Sequence, residues 1–149
     1  MRPSQVRKRI LSDHSALRGA LDELAAISTR LPQEPGTALE AAIELAQSLY
    51  EDLSDHMDLE DELLVPVLRE RDSWGPVRAD RLQEHHESQR QQLKALTLDQ
   101  TVGQSPDVLA KQLLSLIEEL RTDMEYEERE LLSRSAVDDD LVSTDGEDG

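Results

Sequence analysis

The chain has 149 residues, with 33 Asp and Glu against 16 Lys and Arg, a formal charge of -17 and neither Cys nor Phe. The missing thiols exclude a disulfide framework, a thiolate metal site and a cysteine nucleophile, so any metal must be held by nitrogen and oxygen. The acidic balance argues against nucleic acid and anionic membranes as direct partners, because binding them draws on Lys and Arg set against phosphates.

The length fits one ordinary domain, and aromatics at 2% leave Leu, Ala, Ile and Val to build its core. That palette suits helices and is poor for sheets. The N-terminal MRPSQVRKRIL is charged with no apolar stretch behind it, and nowhere do roughly eighteen apolar residues run together. A cytoplasmic protein is expected.

Pro and Gly divide the chain into four helix-forming segments. The first, about 3–31, ends at LPQEPG and places Ile10, His14, Leu17, Leu21, Leu24 and Leu31 on one stripe. The second, about 37–71, ends at DSWGP. Its seam, Leu39, Ala42, Ala46, Leu49, Leu53, His56, Glu60, Leu63 and Val67, alternates spacings of three and four. The third, about 77–98, ends at TVGQSP and aligns Ala79, Leu82, His86, Gln89, Leu93 and Leu96, with His85 about 100° aside. The fourth, about 107–133, aligns Leu109, Leu113, Leu116, Leu120, Asp123, Glu127 and Leu131. Residues 1–133 thus read as an all-α, up-down-up-down four-helix bundle, and 134–149 as an acidic disordered tail.

Each segment carries polar, ligand-capable residues in the middle of an apolar seam, and similar lengths on either side of the first two turns bring those of segments one to three to one height; the last pair agrees less well, and the loop at about 99–106 has to absorb the difference. The chain also repeats itself. His14, Arg18, Leu21 and Leu24 fall in register on His86, Arg90, Leu93 and Leu96, and Leu53, Met57, Glu60 and Leu64 on Leu120, Met124, Glu127 and Leu131. Under this pseudo-symmetry the counterpart of His56 is Asp123.

A carboxylate or imidazole turned into a leucine core costs several kcal/mol unless compensated. Two answers are open: buried ion pairs of His14 and His86 with Glu60, Asp123 and Glu127, or metal. Three histidines and three carboxylates at one level match what two mid-series ions take. Residues four apart share a helix face, so His56 with Glu60, and Asp123 with Glu127, offer ligands in pairs. A ferritin-like di-iron site needs a Glu three residues before a His, and Leu11, Leu53, Leu82 and Gln83 stand there instead. The HExxH zinc signature fails at Arg90.

The pattern resembles the hemerythrin-like, or HHE cation-binding, domain: His14 in SDHSALRGALDEL, His56 and Glu60 in SDHMDLEDELLVP, His86 in QEHHESQRQQL and Glu127 in TDMEYEERELL. The resemblance covers about residues 5–133. It implies two non-heme irons with an oxo or hydroxo bridge, Glu60 and Glu127 bridging, His14 and His56 on one iron, and His86 with the helix-four position on the other. It also implies a dioxygen, peroxide or nitric oxide ligand, or iron and redox sensing. Asp123 departs from the family by standing where a helix-four histidine is expected, and helix three offers one aligned His where oxygen carriers use two. A harder oxygen ligand favours the ferric state, which leans toward peroxidase, catalase-like or oxidase chemistry over reversible oxygen carriage. Tyr126 reads as a boundary aromatic. The second reading is a metal-free or mononuclear degenerate bundle serving as an acidic protein-interaction module; a monomer or homodimer accommodates either.

Overall fold

A computed structural model describes residues 2–96 and 105–133. Four helices follow in order: α1 (Pro3–Arg30), α2 (Pro35–Arg71), α3 (Gly75–Lys94) and α4 (Pro106–Tyr126), and α4 runs on into a wider π-helical turn, Glu127–Leu131. They form the expected bundle, α1 lying on α2 and α4 and α2 on α3, while α3 and α4 touch less than these three pairs. No helix among the described residues is long and apolar enough to cross a membrane. The tail expected at 134–149 and most of the loop expected before helix four lie outside the described residues.

Three helices begin slightly earlier than the punctuation suggests. Proline lies in the first turn of all four, where its missing N–H has no intrahelical acceptor to lose and its fixed φ suits the helix. Residues read as breakers therefore start helices. At α4 the Ser105 Oγ accepts from the Val108 N–H at 3.2 Å and completes the cap. Gly75 is required at the α2–α3 corner, because a Cβ there would lie 1.8 Å from the Leu68 carbonyl oxygen.

The buried stripes match the expected seams on α1 and on most of α2 and α3. Past Glu60 they part: Leu64 and Leu68 are buried, whereas Leu63 and Val67 are only half-buried. A straight helix turns every 3.6 residues and drifts about 20° per heptad against a 3.5-residue seam, so the last turns of α2 present the next residue inward. Leu39 yields to Ala38 at the other end, and on α4 Met124 is buried beside a half-buried Asp123.

The apolar interior is divided into two clusters. One runs from Leu17, Leu21 and Leu24 through Leu49 and Leu53 to Leu113 and Leu120. The other joins Val6 and Ile10 to Leu64, Leu68, Leu82 and Leu131. Between them lies a buried polar layer: His14, His56, Glu60, His86, Gln89 and Glu127.

Candidate metal centre

All three histidines of the layer are held from behind. The Nδ1–H of His14 donates to Glu128 Oε2 at 2.8 Å, that of His56 to Asp13 Oδ2 at 3.2 Å, and that of His86 to Asp61 Oδ1 at 3.1 Å. A carboxylate accepts only, so each bond places a proton on Nδ1 and turns Nε2 inward. Each of these carboxylates adjoins an inner residue in sequence but serves the histidine of another helix. The repeat extends to them: His14 with Glu128 maps onto His86 with Asp61.

Glu127 and Glu128 both reach His14, Glu127 Oε1 lying 3.2 Å from Nε2 and Glu128 Oε2 2.8 Å from Nδ1. Consecutive residues of an α-helix project about 100° apart. Here they grip opposite edges of one ring, at the residue where α4 widens into its π turn; such turns are frequent at functional sites. Arg18 fixes Glu128 through Nη1 and Nη2 at 2.7 and 2.9 Å.

At the centre, Glu60 is fully buried and faces two ways. Its Oε2 lies 3.3 Å from His56 Nε2 and 3.7 Å from His14 Nε2, and its Oε1 lies 2.9 Å from His86 Nε2. Burial alone would raise the Glu60 carboxyl, yet Glu127 and the imidazoles of His14, His56 and His86 hold it well below the usual carboxylate range. Glu127 moves the other way, pushed well above that range by burial and by the charge of Glu60 beside it. For His14, burial works against the charged ring, but Glu127, Glu60 and Glu128 outweigh it and push the imidazole up to about 10.

Four atoms of this layer are buried without a hydrogen-bond partner: His14 Nε2, His56 Nε2, Glu60 Oε2 and Glu127 Oε1. One ligand atom from each of the same four residues lies within 4.8 Å of all the others. Around a single ion with bonds of about 2.0–2.2 Å, neighbouring ligand atoms sit roughly 3–3.5 Å apart and opposite ones somewhat over 4 Å. The cluster has those dimensions. Left unpaired, each buried polar atom costs about 1–3 kcal/mol, and one cation at their centre satisfies all four. The donor set, two imidazole nitrogens and two carboxylate oxygens, fits a mid-series transition ion.

The hemerythrin HHE cation-binding domain model matches residues 6–134. The chain belongs to the hemerythrin HHE cation-binding family. Comparisons with curated proteins and with solved structures give no match. Of the residues singled out by sequence, the bundle brings His14, His56, Glu60 and Glu127 to one point and sets His86 against the far oxygen of Glu60. Asp123 stands at the rim, where its Oδ2 accepts from the side-chain amide of Gln89. It is not one of the four converging residues. His85 is exposed as expected, and the repeat places His85 and Asp123 where Asp13 and His56 stand in the other half, the same two residue types exchanged. Tyr126 is 42% exposed. Asp13, Asp61 and Glu128 were invisible to the seam pattern because they lie on outward faces. The acidic or histidine neighbour beside each of them was the available signal.

Proposed function

We propose that this hemerythrin HHE protein holds iron in its polar layer and acts on, or senses, a small ligand: dioxygen, peroxide or nitric oxide. The observation that carries the reading is the convergence of four orphaned, buried ligand atoms from α1, α2 and the π turn on one point. His14, His56, Glu60 and Glu127 would hold one ion. The opposed oxygens of Glu60 support a second, with His86 on the far side and Asp123 reaching it when freed from Gln89.

Bound iron supplies redox change and open coordination positions for the ligand. The chain's own residues supply the rest. Asp13, Asp61 and Glu128 fix the tautomer and tilt of the three rings. Leu17, Leu21, Leu49, Leu53, Leu120 and Met124 line a cavity of about 20 Å³ against His56, Glu60 and Glu127. A water needs roughly 10–15 Å³ of such space, so the cavity suits a diatomic molecule and keeps bulk water away.

A single-ion reading has its own support, since the Gln89 contact occupies Asp123 and leaves four atoms for one ion. Iron per chain with an optical spectrum, on protein produced in iron-replete medium without chelators, separates them. Two irons with near-ultraviolet oxo-to-iron absorption support the first reading, and one iron without it the second. No iron after attempted reconstitution defeats both and leaves the acidic interaction module.

A further inference from the structure

The polar layer is reached from two sides whose charges differ. Between α1 and α2 lies a cleft of about 520 Å³ whose walls carry five carboxylates, Asp13, Asp52, Asp55, Asp58 and Glu62, and one guanidinium, Arg9. Between α3 and α4 lies a second cleft, of about 530 Å³, whose walls set Arg78, Arg81 and Arg129 against Asp123, Glu125 and Glu127. A cation is drawn more strongly to the first, where carboxylates outnumber guanidinium groups, than to the second, where the two balance.

The acidic residues are not equivalent. Asp58 is paired with Arg90 at 2.6 Å, and Asp13 is engaged with His56. Asp52, Asp55 and Glu62 are exposed and make no hydrogen bond or ion pair among the described residues. Their spacing along α2 puts them on one stripe facing the cleft. Three unpaired like charges there repel one another, and a hydrated dication relieves that repulsion.

The floor of the cleft points to the same ligand. The cleft shares two wall residues with the inner cavity, Leu17 and His56. His56 is only 6% exposed; its Nδ1 meets Asp13 on the cleft wall, and its unpartnered Nε2 faces the metal centre. One imidazole thus borders both the acidic cleft and the metal centre.

We propose that the α1/α2 cleft is the loading vestibule for a hydrated divalent cation, captured by Asp52, Asp55 and Glu62 and passed inward past His56. The inference rests on the metal reading above. It assigns a role in delivery to residues that hold no ion in the loaded protein, so their loss changes the rate of filling and not the final content.

The test is stopped-flow uptake of Co²⁺ by the full-length metal-free protein, followed by the visible absorption of imidazole-bound cobalt. The triple variant Asp52→Asn, Asp55→Asn, Glu62→Gln is expected to load about tenfold more slowly, with unchanged cobalt per chain at equilibrium and a melting temperature no lower than that of the wild type. Added salt slows the wild type and barely affects the variant. Arg81→Glu, which makes the other cleft more acidic, leaves the rate unaltered. Loading of the triple variant at the wild-type rate overturns the proposal, and so does acceleration by Arg81→Glu, which would place intake between α3 and α4. A wild-type protein that holds neither Co²⁺ nor Fe²⁺ at equilibrium defeats the metal reading itself, an outcome distinct from failure of the route.

Discussion

His14 and Glu128 are joined by a 2.8 Å hydrogen bond from the ring Nδ1–H to Oε2, while the opposite nitrogen of the same ring faces the metal centre. Glu128 thereby sets the tautomer, and Arg18 holds Glu128 in place with two bonds of its own. Losing such a carboxylate behind a metal-bound histidine typically costs 10–100-fold in metal affinity. Glu128→Ala is therefore expected to weaken metal binding by about that factor, read by competition against a chelator of known affinity. Arg18→Ala should give a smaller loss, because Glu128 still reaches the ring. Wild-type affinity in Glu128→Ala would mean that His14 is oriented by packing alone.

Removing the metal should loosen the whole bundle. The centre lies between the two apolar clusters and joins α1, α2 and the end of α4, so the metal-free protein has four unsatisfied buried atoms where the loaded one has an ion. Binding at about a hundred times the dissociation constant stabilises by about 2.7 kcal/mol. For a domain of this size that corresponds to a melting temperature lower by on the order of 10 °C after chelation. Equal melts with and without chelator would show that the layer is held by its ion pairs alone.

The metal-free centre carries a proton on His14 at neutral pH. Against the effect of burial, Glu127, Glu60 and Glu128 push His14 up to about 10, and Glu127 is shifted toward its neutral form by burial and by the charge of Glu60. Raised His14 contributes stability that is fully present below its unfolded value of about 6.5 and is lost as pH rises through about 10. Glu127 shifts in the same direction, favouring the metal-free fold at lower pH. A cation must displace the His14 proton, so metal affinity rises with pH while metal-free stability falls. Melting curves of the two forms should diverge between about pH 6 and pH 9, and titration in weak buffer should release protons as the ion binds. Convergence of the curves with rising pH would contradict this assignment.

The inner layer was legible because helical periodicity reports burial, and a His or Glu on an otherwise leucine stripe is conspicuous. His14, His56, Glu60, His86 and Glu127 are all buried for that reason. Leu63 and Val67 show the limit of the same signal, since a seam extrapolated at 3.5 residues per turn passes one residue off a straight helix by its end. Asp13, Asp61 and Glu128 show another: among 33 acidic residues an outward carboxylate carries no mark of its partner. The π turn at Glu127–Leu131, which lets Glu127 and Glu128 share one ring, depends on backbone bonding that side-chain spacing does not encode.

On the proposed reading, the number of ions turns on whether Asp123 joins the ligand set. The repeat pairs it with His56, but its side chain accepts from the amide of Gln89, itself buried on the seam of α3. A histidine at 123 would exchange an anionic oxygen for a neutral imidazole nitrogen and would complete beside His86 the pair that His14 and His56 form in the other half. Asp123→His is expected to raise the iron retained per chain after gel filtration and to shift the optical spectrum, with affinity at the weaker position rising by at least about tenfold. Gln89→Leu releases Asp123 without changing the ligand type, so it should raise the iron content with a smaller spectral shift. Iron content and spectrum unaltered in both variants would place Asp123 outside the ligand set and leave one ion held by His14, His56, Glu60 and Glu127.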